Sequence, residues 1–209
     1  MIKKRLIILL PLIGLFISCD QNQSFISIEN IRVVKTSRDS LYVFKEKPYT
    51  GQVKKINDQG VVVESFFVRE GKLNGEYSIK YNSGEGLKDL RNYSKGLPQG
   101  SWISFYENGQ KKEQVNYVNG YMQGVRKSYW NNGLVKEENE FDRGILTGVS
   151  NFYYSNGQLR KTIAFDFNGN RDGVWLDYFP NGQIKQKISY KSGKIIDSLV
   201  RYNREGEID

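Results

Sequence analysis

The chain has no histidine. That absence removes the commonest general base, the histidine-centred triads and imidazole metal sites. Its one cysteine, Cys19, has no partner for an internal disulfide. Only four prolines occur, and Pro98 and Pro180 fall where turns are expected. Beyond Cys19 there is no sustained 3.6-residue apolar period, which predicts almost no helix. No Gly-x-Ser-x-Gly elbow, phosphate loop or dinucleotide fingerprint stands at a strand-to-helix junction. Carboxylate chemistry would remain open to an enzyme, but Glu137-Glu138 and Glu205/Glu207 read as solvated strand and tail positions. The sequence therefore reads as non-catalytic and implies no cofactor.

What the chain has is glycine at fixed intervals. One column runs Gly51, Gly75, Gly100, Gly124, Gly148, Gly173. A second runs Gly60, Gly84, Gly109, Gly133, Gly157, Gly182, Gly206, and a third Gly71, Gly96, Gly120, Gly144, Gly169, Gly193. Gly75 to Gly100 is a step of 25 and Gly100 to Gly124 a step of 24. Fixed-period self-similarity of this length marks a repeat architecture. Asn108-Gly109 lies between aromatic and β-branched stretches, and Asn132-Gly133, Asn156-Gly157 and Asn181-Gly182 repeat it. Asn-Gly in that setting predicts a type I′ hairpin turn. The reading is strand, tight turn, strand, second turn, repeated six times.

Aromatic columns accompany the glycines. Before the first turn stand Phe105, Tyr129, Tyr153, Tyr178 and, one residue on, Tyr81, Tyr106, Trp130, Tyr154, Phe179. Neighbouring strand residues point to opposite faces, so both faces are expected to carry aromatic ladders. The second strand adds Val68, Tyr93, Tyr117, Phe141 and Tyr190; in the fifth unit Phe165 and Phe167 flank Asp166. A position two residues after the first glycine reads Val53, Tyr77, Trp102, Arg126, Ser150, Trp175. Trp102, Tyr106, Trp130, Tyr154, Trp175 and Phe179 form the candidate binding face. Trp102 with Tyr106, and Trp175 with Phe179, are expected to lie together. Packing between repeats is the simpler use of such columns; recognition is the other, since Trp, Tyr and Arg dominate interface hot spots.

The pattern Gly-x-Trp-x-x-Tyr-Tyr-x-Asn-Gly-Gln, best matched by Gly100–Gln110 and Gly173–Lys185, resembles the MORN-repeat variant of bacterial proteins. Within it the chain looks most like the YwqK family, labelled as antitoxin components; Lys47-Pro-Tyr-Thr-Gly51 resembles the start of that family's first repeat. The resemblance spans about Leu41 to the C-terminus. It implies an all-β, elongated, single-layer antiparallel meander of hairpins that binds another macromolecule, most simply a protein. Cell-wall carbohydrate, stacked on the aromatic columns, is the alternative.

The N-terminus carries a second message. Lys3, Lys4 and Arg5 precede an apolar run, Leu6–Ile17, shorter than the ~20 residues a spanning helix needs. Leu15-Phe-Ile-Ser-Cys19 resembles a lipobox, with Phe16 where Leu is usual. The expected organisation is a helical signal peptide at 1–18, a lipidated Cys19 with a polar tether at 19–24, and an N-terminal capping hairpin at 25–47. Six repeats follow at 48–197, with a partial repeat at 198–209. The expected location is exported and lipid-anchored to a bacterial membrane. The formal charge of +8 would fall to about +5 on loss of three basic residues. The lysines are scattered among Glu and Asp, so no nucleic-acid partner is expected. Asp166-Phe-Asn-Gly-Asn-Arg-Asp172 has a calcium-loop look, but Arg171 would repel the ion. It reads as an enlarged turn, and no metal is expected.

Overall fold

The computed structural model describes residues 25–35 and 40–209. The expected signal peptide and Cys19 tether lie outside the described residues. The rest is an all-β, mostly antiparallel sheet of hairpins, with one 3-10 turn at Ile28–Asn30. Each unit is a hairpin plus a short return. In the third, Gly100–Phe105 pairs with Lys111–Val118, and Tyr121–Met122 folds back on the end of that second strand. Lys111–Val118 then pairs with Gly124–Tyr129 of the fourth unit. The main sheet has 17 strands. Beyond the two strands of each of the six hairpins, it includes two-residue returns such as Leu97–Pro98 and Lys194–Ile195, which form strands of their own.

The N-terminal end differs from a simple hairpin over the open edge. Strand β1 (Phe25–Ser27) occupies that edge, pairing in parallel with β5 (Gly51–Ile56). Strands β2 (Arg32–Lys35), β3 (Ser40–Phe44) and β4 (Lys47–Pro48) form a separate three-stranded sheet. Apolar burial explains the arrangement. Ile31 packs with Val53, Phe66 and Val68, and Tyr42, Phe44 and Tyr49 close around them. A strand merely added to the edge would leave those side chains in water. At the other end Val200–Arg201 pairs with the last full strand, and Asn203–Gly206 makes one more first turn.

The first turns are not type I′. Asn108, Asn132, Asn156 and Asn181 are absent from the positive-φ residues; only the following glycine is left-handed, as at Gly109 (φ 81°). Gly109 N–H donates to Tyr106 and Tyr106 N–H to Gln110, the pattern of a type I turn closed by a glycine bulge. Asparagine holds this form because its Oδ1 accepts the N–H two residues on: Gln110 to Asn108, Leu134 to Asn132, Gln158 to Asn156. The type I′ turns lie in the other column. Glu70-Gly71, Lys95-Gly96, Asn119-Gly120, Arg143-Gly144 and Ser192-Gly193 have positive φ at both residues.

The register also shifts between Ser104 and Phe105, and equivalently in the other units, because the second strand carries one extra residue, Lys112 in the third unit. Tyr106 follows the end of the first strand, at the turn. The principal ring ladder uses different columns and one face. It runs Phe66–Tyr77–Tyr93–Trp102–Tyr117, with centroids 4.4–6.0 Å apart at successive steps. Arg126 and Ser150 interrupt it, and Trp175–Tyr190 resumes it at 6.1 Å. We call this the ring face.

Candidate functional site: a ring face and a turn edge

Register fixes what stands on the ring face. Trp102 lies opposite Val115, and Gly100 opposite Tyr117. The missing glycine side chain leaves the space beside Trp102 to the Tyr117 ring, whose centroid is 4.4 Å away. Arg91 lies over the Trp102 indole at 5.4 Å. Asp89, Arg91, Trp102, Ser104, Glu113 and Tyr117 line a shallow hollow of about 150 Å³.

A charged row runs beside the rings. Glu64, Asp89, Glu113 and Glu137 occupy one column of the second strands. Each is engaged. Tyr77 Oη donates to Glu64. Arg91 meets Asp89 at 3.5 Å. Arg126 reaches Glu113 at 2.5 Å and Glu137 at 3.9 Å, bridging two units. In the fifth unit the sign reverses, and Lys161 meets Asp177 at 3.5 Å. Burial, reinforced by Glu64, pushes the Tyr77 phenol far above its ordinary value; burial, then Glu113, raises Tyr117. These phenols stay protonated, and Tyr77 donates to Glu64.

The ring face is covered by protein at one end and open along the rest. Over the first unit the N-terminal strands sit directly on it, with the Tyr42 ring 5.4 Å from Phe66. Val53 and Phe66 are 0% and 2% exposed there. From the second unit on, Tyr93, Trp102, Tyr117 and Trp175 are half-buried without such a cover.

The six candidate aromatics fall into two groups. Trp102 and Trp175 stand on the ring face. Tyr106, Trp130, Tyr154 and Phe179 line the edge where the first turns lie. Trp102 and Tyr106 stand four residues apart in sequence, as do Trp175 and Phe179, and among the described residues no ring contact joins either pair. The edge aromatics instead join units. Tyr81, Tyr106 and Tyr154 donate their hydroxyls to the carbonyls of Phe105, Tyr129 and Tyr178 in the next unit, at 2.7–2.8 Å. Asn108 Nδ2 and Asn132 Nδ2 likewise donate to Asn131 and Ser155. The column Tyr153 belongs to points to the face opposite the rings, where Tyr153 donates to Glu138.

The second-turn edge is stapled by other groups. Gly96, Gly120 and Gly144 donate N–H to Leu73, Pro98 and Met122 of the preceding unit. Gln99 and Gln123 accept from the N–H groups of Asn119 and Arg143 through their side chains. Their place directly before a unit's first glycine was the readable signal for this role.

The calcium-like segment is a turn. Asp166 Oδ1 accepts from the N–H groups of Asn168 and Asn170, and Oδ2 from Asn170 Nδ2. Those bonds hold the Asp166 carboxyl below its ordinary value. Among the described residues, no group of three or more Cys, Asp or Glu could hold a metal ion. The extra residue is absorbed in this turn, so Phe165 keeps its place opposite Gly148 while Phe167 is 86% exposed.

Comparison with known proteins agrees with the repeat. The MORN repeat variant profile matches residues 98–119, 146–169 and 171–192. The matched segments take in the third, fifth and sixth units; the fourth, which carries Arg126 where its neighbours carry aromatics or serine, is not matched. No curated protein matches the chain.

Proposed function

We propose that this chain is a membrane-anchored, non-catalytic repeat protein that recognises another protein through the open part of its ring face. One observation carries the reading. The same face that is open around Trp102 is covered over the first unit by the chain's own N-terminal strands, which pack Ile31 and Tyr42 onto Val53 and Phe66. The face is therefore built to receive polypeptide. Its open part gathers Tyr93, Trp102 and Tyr117 with Arg91 and Arg126, the residue types that dominate hot spots. MORN repeats are generally associated with binding proteins or membranes.

The anchor is the lipid expected on Cys19. An antitoxin acting on a cytoplasmic toxin needs no export signal, whereas an immunity protein facing the periplasm does. The scaffold and immunity-like roles therefore share one geometry and differ in the partner. The test is in-cell crosslinking and mass spectrometry of the tagged full chain beside Trp102→Ala and Trp175→Ala, each first shown to fold. One protein enriched with wild type and lost with the variants supports the reading. Loss of that protein from Cys19→Ser, with release from the membrane, supports the anchor. Glycan fragments copurifying in place of a protein would overturn it in favour of cell-wall binding.

A further inference from the structure

The cations of this protein are not all used alike. On the ring face, Arg91, Arg126 and Lys161 are each paired with carboxylates. On the opposite face Lys127 is paired with Glu138 at 2.7 Å. Three residues after Gly109, Gly133, Gly157 and Gly182, however, stand Lys112, Lys136, Arg160 and Lys185. The ion pairs of the described residues engage none of these four. They look scattered in the sequence, yet the register stacks them at one position of four consecutive units, and Lys88 holds the same position in the second unit, whose turn is one residue longer. Each is the extra residue of its unit's register shift, set between a ring-face residue (Glu113, Glu137, Lys161, Gln186) and the residue paired with Phe105, Tyr129, Tyr153 or Tyr178, whose column faces away from the rings.

Each also has an aromatic residue of its own turn close in sequence. Lys112 lies over Tyr106 at 5.9 Å, Lys136 over Trp130 at 5.0 Å and Lys185 over Phe179 at 5.8 Å. Ring faces stabilise an ammonium without neutralising it. The turns beside the last three carry Asn131-Asn132, Ser155-Asn156 and Pro180-Asn181, with no carboxylate. A column of unneutralised cations, three of them steadied by rings, is a site for anions in series.

Spacing selects the kind of anion. One unit contributes two strands, so the column advances roughly 10 Å per step. An extended peptide rises about 3.4 Å per residue, so it would need an acid at every third position. Sheet twist turns the column by roughly 40–50° per unit, so a flat bilayer could not touch all four cations at once. A flexible linear polymer can follow that turn. An extended, β-linked polysaccharide with one anionic group per disaccharide has close to the required pitch.

We infer that Lys112, Lys136, Arg160 and Lys185 form a binding ladder for a linear acidic polysaccharide, one disaccharide per unit. The ladder faces away from the ring face, so this inference goes beyond the protein-recognition reading and either can fail alone.

The test is titration of the full chain with a hyaluronan octasaccharide, which carries one carboxylate per disaccharide. Neutral dextran, single-stranded DNA and vesicles containing phosphatidylglycerol serve as comparisons. The variants are Lys112→Gln, Lys136→Gln, Arg160→Gln and Lys185→Gln combined, and a control losing equal charge at exposed Lys35, Lys47, Arg69 and Lys194. A third variant, with arginine at positions 112, 136 and 185, keeps the charge. Melting curves establish that all are folded. The expected result is octasaccharide binding that weakens by about tenfold or more only in the ladder variant, survives in the arginine variant and loses most of its salt dependence with the ladder. Equal weakening in the control would overturn the inference, as would no binding by wild type. Tighter, ladder-dependent binding of DNA or vesicles would overturn it too, assigning the column to that ligand.

Discussion

At the scale of the residue, the chain shows where chemistry was left unsatisfied and where it was not. Ser150 occupies the column held elsewhere by Tyr77, Trp102 and Trp175; it is 0% exposed and its hydroxyl has no partner. An unpaired buried hydroxyl costs about 1–3 kcal/mol of desolvation. Ser150→Ala is therefore expected to stabilise the fold by about 1 kcal/mol, read as a higher urea midpoint with unchanged slope. A lower midpoint would mean the hydroxyl is satisfied after all. Glu138 is the contrasting case. A hydrogen bond from Lys127, then one from Tyr153, holds its carboxyl below the ordinary value of 4.5 despite burial. A carboxyl depressed in the folded state adds stability that is fully present above its unfolded value. That stability is lost as pH falls through the folded value. Because Lys127 is 42% exposed, the pair contributes no more than about 1 kcal/mol. Glu138→Gln is expected to flatten the acid limb of a stability profile below pH 4.5, with the wild-type advantage full at neutral pH and shrinking as pH falls through the folded value. An unchanged acid limb would show that the pair contributes nothing.

At the scale of the element, the unit is held to its neighbours at both edges. Tyr106→Phe removes the bond to the Tyr129 carbonyl and leaves that acceptor unpaired; the expected cost is about 0.5–1.5 kcal/mol. Tyr154→Phe should behave alike, because its bond to Tyr178 has the same geometry. A neutral result in both would move the stapling role to the asparagine amides. The hairpins were legible because glycine recurs wherever the backbone must turn left-handed, and glycine leaves a fixed-period trace. The turn type was not. Asn-Gly suits a type I′ turn and a type I turn with a bulge equally well, and the choice depends on the N–H that Asn108 Oδ1 accepts. The register shift that follows adds one residue to the second strand of each unit, at Lys112 in the third, which the spacing of the glycines does not reveal. The ladder Tyr93–Trp102–Tyr117 depends on register across two hairpins, which sequence spacing alone does not fix. The hydroxyl bonds that tie Tyr106 and Tyr154 to the next unit were equally beyond what spacing alone could show.

At the scale of the whole molecule, contacts run from each unit to the next, and stability should be nearly a sum of unit and interface contributions. Deleting the fourth unit, Gly124–Thr147, joins Gln123 to Gly148 at equivalent positions. It removes Arg126, the bridge between Glu113 and Glu137, together with both carboxylate-flanked strands. The shortened chain is expected to keep its β circular dichroism and to unfold cooperatively at a lower midpoint. Aggregation or loss of β structure would contradict a quasi-one-dimensional body. The central claim is that the open ring face receives a protein. It is tested most directly by placing a photo-crosslinking amino acid at Ser104, beside Trp102 on that face, or at Asn116, which points the other way. The account predicts a discrete protein adduct from Ser104 in intact cells and none from Asn116. Equal adducts from both positions, or glycan alone from Ser104, would contradict it.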